Sequence, residues 1–207
     1  MNILIIEHPK CGRNWLKNIF TDIGIDDVRM SHVGSAAIRR KFDNEILLPE
    51  EFFKNRRKLN KLFLYREPKD VMISFYYQVR DKCNKSKIDY STTKNISTFI
   101  KSIYGIEYLL KYYQVWEEYI DNNNVQIISY EELLKDTFGS IKNICENISF
   151  LIDYDIIKEA ISKNSFEKMR NDKKRKGIIG DYKNHMSDND IKFCNKMIEK
   201  YPSRFAC

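Results

Sequence analysis

Short, continuously apolar runs alternate along this chain with longer stretches in which apolar residues recur every three or four positions. Ile3-Leu4-Ile5-Ile6 is of the first kind, the pattern of a strand covered on both faces. Such runs, bounded by turn-forming residues, predict strands over 2–7, 27–31, 60–66 and 124–129. The longer period predicts helices over 13–23, 68–81, 94–121 with a break near Gly105, 131–150 in two pieces around Gly139, 154–163 and 187–200. Strands alternating with helices give an α/β fold, a parallel sheet flanked by helices. In such sheets ligands bind beyond the carboxyl ends of the strands. Lys10, Arg66 and Tyr130 each follow a predicted strand end, which places them around one crevice.

The sequence has 207 residues, enough for one domain with a substantial core, so residues 1–207 are read as a single unit. Residues 33–59 and 82–95 fit the regular frame least, and the segments 33–59 and 82–122 are expected to border a second-substrate pocket. Within the latter, Tyr104, Tyr108, Tyr112 and Tyr113, with Tyr76, Tyr77 and Phe99, suit either an aromatic pocket or a core, because Tyr108 and Tyr112 share helical spacing with Leu109, Val115 and Trp116. No run of eighteen apolar residues occurs, and Met1 lies one residue before the first strand; a cytoplasmic chain without a membrane segment is expected.

Charge and cysteine usage narrow the chemistry. Lys and Arg number 36 against 29 Asp and Glu, a net charge of +7, concentrated in Lys54–Lys61 and Lys168–Lys176. The second cluster suits a funnel for a polyanionic small molecule better than the broad stripe of a nucleic-acid-binding protein. The five cysteines are odd in number and lack metal-ligand spacing, so free thiols are expected. Cys11, at a helix start beside Lys10 and Arg13, is expected to have a depressed pKa.

Glu7-His8-Pro9-Lys10-Cys11-Gly12-Arg13-Asn14-Trp15-Leu16 reads as strand end, tight loop and helix start. A helix N-terminus presents amides and the positive dipole end at one spot, and Lys10 adds charge there, so the bound group should be anionic. GxxxxGK[ST] is absent. The loop resembles instead the PKSGTTW loop of sulfotransferases. Arg66-Glu67-Pro68-Lys69-Asp70, with Ser74 beyond, is similar to that family's R-[ND]-P-x-D-x-x-x-S segment. Ser129-Tyr130-Glu131-Glu132-Leu133 resembles its YEDL segment, and Arg175-Lys176-Gly177-Ile178-Ile179-Gly180-Asp181-Tyr182-Lys183 its RKGxxGDWK signature. The four stand in family order from residue 4 to residue 186.

The resemblance implies a fold like that of nucleotide kinases and transfer of the sulfuryl group of 3′-phosphoadenosine 5′-phosphosulfate (PAPS) to a small-molecule hydroxyl or amine, leaving 3′,5′-ADP. No metal is expected. It gives Lys10 the stabilisation of the leaving group and His32 the role of base, with His8 in reserve. A histidine suits that task because its ordinary pKa leaves it neutral near working pH. Lys10, Cys11, Gly12, Arg13 and Asn14 would hold the 5′-phosphosulfate, with Asn14 also capping the helix. Arg66, Ser74, Arg175, Lys176 and Gly177 would hold the 3′-phosphate. Trp15, Tyr130, and Phe166 within the segment that begins at Asn164, would hold the adenine. Arg13 and Asn14 stand where the family has small hydroxyl residues. The family's dimer motif, K-x-x-x-T-V-x-x-x-E, is not matched over Lys183–Lys192, so no dimer is expected by that route. The alternatives are a glycan acceptor and a small-molecule or nucleotide kinase of related fold.

Overall fold

The structure, a computed structural model, describes residues 1–31, 49, 53, 59–81, 94–165 and 177–206. Four strands, β1 (Asn2–Glu7), β2 (Asp27–Ser31), β3 (Asn60–Tyr65) and β4 (Gln126–Ser129), form one parallel sheet in the order β2-β1-β3-β4. The register aligns Ile5 with Met30 on one side and with Leu62 on the other, and Leu64 with Ile128. The chain leaves β1 toward β2 and returns to β3 on the opposite side, so the order reverses beside β1. A crevice opens at the carboxyl ends of strands wherever that happens.

The helices are α1 (Arg13–Asp22), α2 (Pro68–Asp81), α3 (Ile96–Ile100), α4 (Ile106–Asp121), α5 (Tyr130–Lys135), α6 (Thr137–Asn147), α7 (Tyr154–Lys163) and α8 (Asp188–Lys200), with a 3-10 turn at Asp181–Asn184. α2, α3, α4 and α8 pack together, and α1 and α6 both pack on α7. The core is rich in aromatics: Phe63 of β3 lies against Trp116 at 5.6 Å, Phe205 at 4.9 Å and Tyr112 at 6.2 Å between ring centres. Burying a ring of that size contributes about 1.5–3 kcal/mol. Tyr76, Phe99, Tyr104, Tyr112 and Tyr113 are all buried, so of the two readings of these aromatics the core applies to them. Among the described residues no helix is long and apolar enough to cross a membrane.

The predicted break near Gly105 is present: α3 stops at Ile100, and α4 starts after Gly105, where a Cβ would strike the Ile100 carbonyl. The break expected around Gly139 lies elsewhere. Asp136 separates α5 from α6 and caps α6 by accepting the Gly139 amide at 2.9 Å. Gly139 sits inside α6, where any Cβ would meet the Asp136 carboxylate; its bareness makes room for the cap. Ser187 and Asp190 form a reciprocal capping box that opens α8, so the central Ser187-Asp188 of the window compared with the dimer motif lies at a helix start.

Candidate active site

The β1 loop and the β3 loop meet in the crevice. Lys10 adopts a left-handed backbone, φ 82°, and Gly12 follows at φ 107°. Two such residues turn the chain sharply from strand into α1, at the cost of about 1–2 kcal/mol for the non-glycine one. Gly12 is the N-cap of α1 and brings no side-chain cap of its own; Asn14 is an exposed residue of the first turn, so the expected capping by Asn14 is not what the structure shows.

Arg66 comes to this loop from the end of β3. Its Nη1 donates to the Lys10 carbonyl and its Nη2 to the Ile178 carbonyl, each at 3.3 Å. The guanidinium lies 4.3 Å above the centre of the Tyr130 ring, and its buried Nε has no hydrogen-bond partner among the described residues. Tyr130 donates from its hydroxyl to the Gly177 carbonyl at 3.4 Å. Ser74, buried, stands on α2 eight residues after Arg66. The structure therefore brings Lys10, Gly12, Arg66, Tyr130 and Gly177 together.

Trp15 is buried, with its indole N–H donated to the Asn164 carbonyl at 3.0 Å and its ring edge-on to Tyr130 at 6.2 Å. The Asn164 amide is engaged with Asp22 at 2.6 Å and the Ala160 carbonyl at 2.9 Å, so Asn164 fixes the end of α7 and, through its carbonyl, the Trp15 ring. His32, Phe166, Arg175 and Lys176 lie outside the described residues, as do most of 33–59, residues 82–93, and Lys168–Lys176. His8 is fully buried, edge-on to Phe75 at 5.4 Å and to Tyr112 at 5.7 Å, which places it in the core beneath the loop.

Cys11 is fully buried, and burial, followed by the Glu7 carboxyl, pushes its thiol well above the ordinary range. The depressed pKa expected from the helix start is thus reversed: electrostatic activation of a thiol needs solvent, and the left-handed turn points Cys11 into the protein.

Several groups at the site were not singled out by sequence. Asp70, buried, accepts the amides of Gly180 at 2.7 Å and Tyr182 at 3.0 Å and stands 3.8 Å from Arg66 Nη2. It ties the Gly177–Tyr182 segment to α2. The cue was an acid four residues after Arg66, where helical spacing sets the two on one face. Glu131 accepts the Glu67 amide at 3.1 Å and fixes the entry to α2. Glu7, 2% exposed, accepts the Arg13 amide at 3.2 Å and lies 3.3 Å from Arg13 Nε. The unusual arginine of the loop therefore packs against the Glu7 carboxyl of β1.

Burial of Glu7 outweighs the attraction of Arg13 and Lys10 and holds its carboxyl up at about 8, against 4.5 in the unfolded chain. Between those values the folded state keeps a proton that the unfolded state releases, so the Glu7 contribution to stability falls as pH rises through that window. Glu7→Gln is expected to flatten this slope. Urea midpoints measured from pH 5 to pH 8.5 check it; an unchanged slope would mean that Glu7 does not titrate there.

Among the described residues no cluster of three His, Cys, Asp or Glu side chains is placed to hold a metal ion. A groove of about 660 Å³ at α6 and α7, lined in part by Cys145, Phe150, Leu151 and Ile157, contains no residue of the crevice.

The sulfotransferase-domain family profile matches residues 44–205. Zebrafish (Danio rerio) sulfotransferase 6B1 is 25% identical over 241 residues, covering 99% of this chain and 78% of its own, and rat (Rattus norvegicus) sulfotransferase 2A1 is 24% identical over 249 residues, covering 99% and 85%. In fold, the chain is similar to mouse sulfotransferase SULT7A1 complexed with PAP, with a TM-score of 0.74 and 18% identity over 97% of this chain and 84% of the other. It is also similar to retinol dehydratase in complex with androsterone and inactive cofactor PAP, with a TM-score of 0.69 and 13% identity over 98% and 81%.

Proposed function

The chain belongs to the sulfotransferase family, and from that premise we propose that it transfers the sulfuryl group of PAPS to the hydroxyl or amine of a small molecule, with the nucleotide in the crevice beyond β1 and β3. The observation that carries this reading is the junction of the two loops: Arg66 bonds the carbonyl of Lys10, so a guanidinium and an ammonium-bearing residue meet at one strand-end crevice. The buried Nε of Arg66, which has no hydrogen-bond partner among the described residues, fits a phosphorylated ligand in the crevice.

In this reading the loop from Lys10 to Asn14 holds the 5′-phosphosulfate, and Lys10 supplies positive charge to the oxygen that departs as the sulfuryl group leaves. Arg66 and Ser74, with Arg175, Lys176 and Gly177, hold the 3′-phosphate. Trp15, Tyr130 and Phe166 enclose the adenine. His32 takes the acceptor proton and orients the attacking atom. One domain carries both sites, with residues 33–59 and 82–122 bordering the acceptor. The complex of retinol dehydratase with androsterone supports a small-molecule acceptor over a glycan. The kinase alternative loses its main support with the family match.

Titration calorimetry with 3′,5′-ADP, 5′-AMP and ATP, each with and without magnesium, tests the proposal. Metal-independent binding of 3′,5′-ADP that weakens sharply for 5′-AMP is expected. Preference for ATP with magnesium, or no binding at all, would overturn it, because phosphoryl transfer relies on the metal.

A further inference from the structure

The β1 loop and the β3 loop ride on separate strands, so a nucleotide that touches both depends on their spacing. Tyr113 of α4, fully buried, reaches both. Its hydroxyl donates to the Arg66 carbonyl at 2.8 Å and accepts the Arg66 amide at 3.2 Å. Its oxygen also faces the buried Cys11 thiol. One oxygen atom thus holds the backbone of the residue that bears the guanidinium and stands beside Cys11, in the turn between Lys10 and Gly12. Tyr112, the preceding residue, is equally buried, yet its hydroxyl has no hydrogen-bond partner among the described residues.

We propose that Tyr113 is a positioning residue for 3′-phosphate recognition: by fixing the Arg66 backbone against the Lys10–Gly12 turn, it sets the preference for nucleotides that carry a 3′-phosphate. The inference rests on the crevice being the nucleotide site, as argued above. It concerns a residue outside the four sequence segments, supplied by a helix that those segments do not include. Without the phenol oxygen the Arg66 amide and carbonyl lose their shared partner, and the guanidinium is carried on a strand end that is held less firmly.

The test compares Tyr113→Phe with Tyr112→Phe, titrating 3′,5′-ADP and 5′-AMP into each and into the unsubstituted protein. Tyr113→Phe is expected to weaken 3′,5′-ADP by roughly tenfold while leaving 5′-AMP within twofold, the scale of one lost buried hydrogen bond. Tyr112→Phe is expected to leave the ratio of the two affinities unchanged. In an Arg66→Ala background the Tyr113 substitution is expected to have no further effect on that ratio, since its action runs through Arg66. Equal weakening of both nucleotides, or an unchanged ratio, overturns the proposal and leaves Tyr113 a packing residue. Absence of any 3′-phosphate preference in the unsubstituted protein instead overturns the reading of the crevice, and the Tyr113 proposal with it. If Tyr113→Phe does not fold at 25 °C, the same ratios are read at 10 °C in trimethylamine N-oxide, which favours the compact state.

Discussion

Lys10→Ala is expected to lower sulfuryl transfer from PAPS by about two to three orders of magnitude, the scale on which one preorganised charge at a developing anion contributes, while 3′,5′-ADP affinity changes only a few-fold. The asymmetry follows from the geometry of the loop. Alanine keeps a Cβ, so the left-handed backbone at φ 82° is strained to the same degree in both proteins. The contact that holds this turn against β3 is made to the carbonyl of residue 10 by Arg66 and does not involve the side chain. What the substitution removes is the ammonium. Single-turnover rates of transfer to a phenol acceptor, set beside calorimetric titration of the product nucleotide, separate the two effects. Equal losses in both would make Lys10 a binding residue with no part in the transfer step.

Gly12→Ala acts by a different route and is expected to abolish nucleotide binding and destabilise the fold by about 2–4 kcal/mol. At φ 107° an L side chain is strained whatever surrounds it, and the added methyl would sit 2.7 and 2.9 Å from two carbons of the Tyr130 ring. That ring has nowhere to go. Arg66 covers it at 4.3 Å, Trp15 abuts it, and its hydroxyl is bonded to Gly177. Relief requires either the loop to move away from Arg66 or the ring to leave the guanidinium, and each dismantles the crevice. Urea denaturation and titration with 3′,5′-ADP check this; a native midpoint with native affinity would show that the loop has slack the geometry does not suggest.

The strands were legible because their apolar runs are short and uninterrupted; β3 ends one residue before the predicted 60–66, and β4 starts two after the predicted 124–129. The meeting of Lys10 and Arg66 was legible as well, since both follow strand ends at the reversal of the sheet order. Side-chain direction inside the loop was not. Cys11 and Asn14 were assigned from helix-end electrostatics and capping, which assume an exposed regular start, whereas left-handed residues on either side of Cys11 turn the thiol inward and leave the asparagine outside. Gly139 misled for a related reason: a glycine that looked like a helix break is one that clears space for the Asp136 carboxylate. Tyr112 and Tyr113 cannot be told apart by sequence, and only the long-range approach of Arg66 gives the second a partner.

The strand order also bears on how the protein comes into being. β1, α1 and β2 are contiguous and form the most local part of the sheet, while β1 meets β3 only when Ile3 finds Asn60 and β3 meets β4 only when Leu62 finds Gln126. Closing those loops is entropically slow. The β1–β2 unit is therefore expected to assemble first, and the crevice, which exists only where β1 and β3 lie side by side, to be completed after it. A refolding chain is therefore expected to show helical and strand signals before it shows affinity for its nucleotide, and stopped-flow circular dichroism set beside nucleotide binding checks the order.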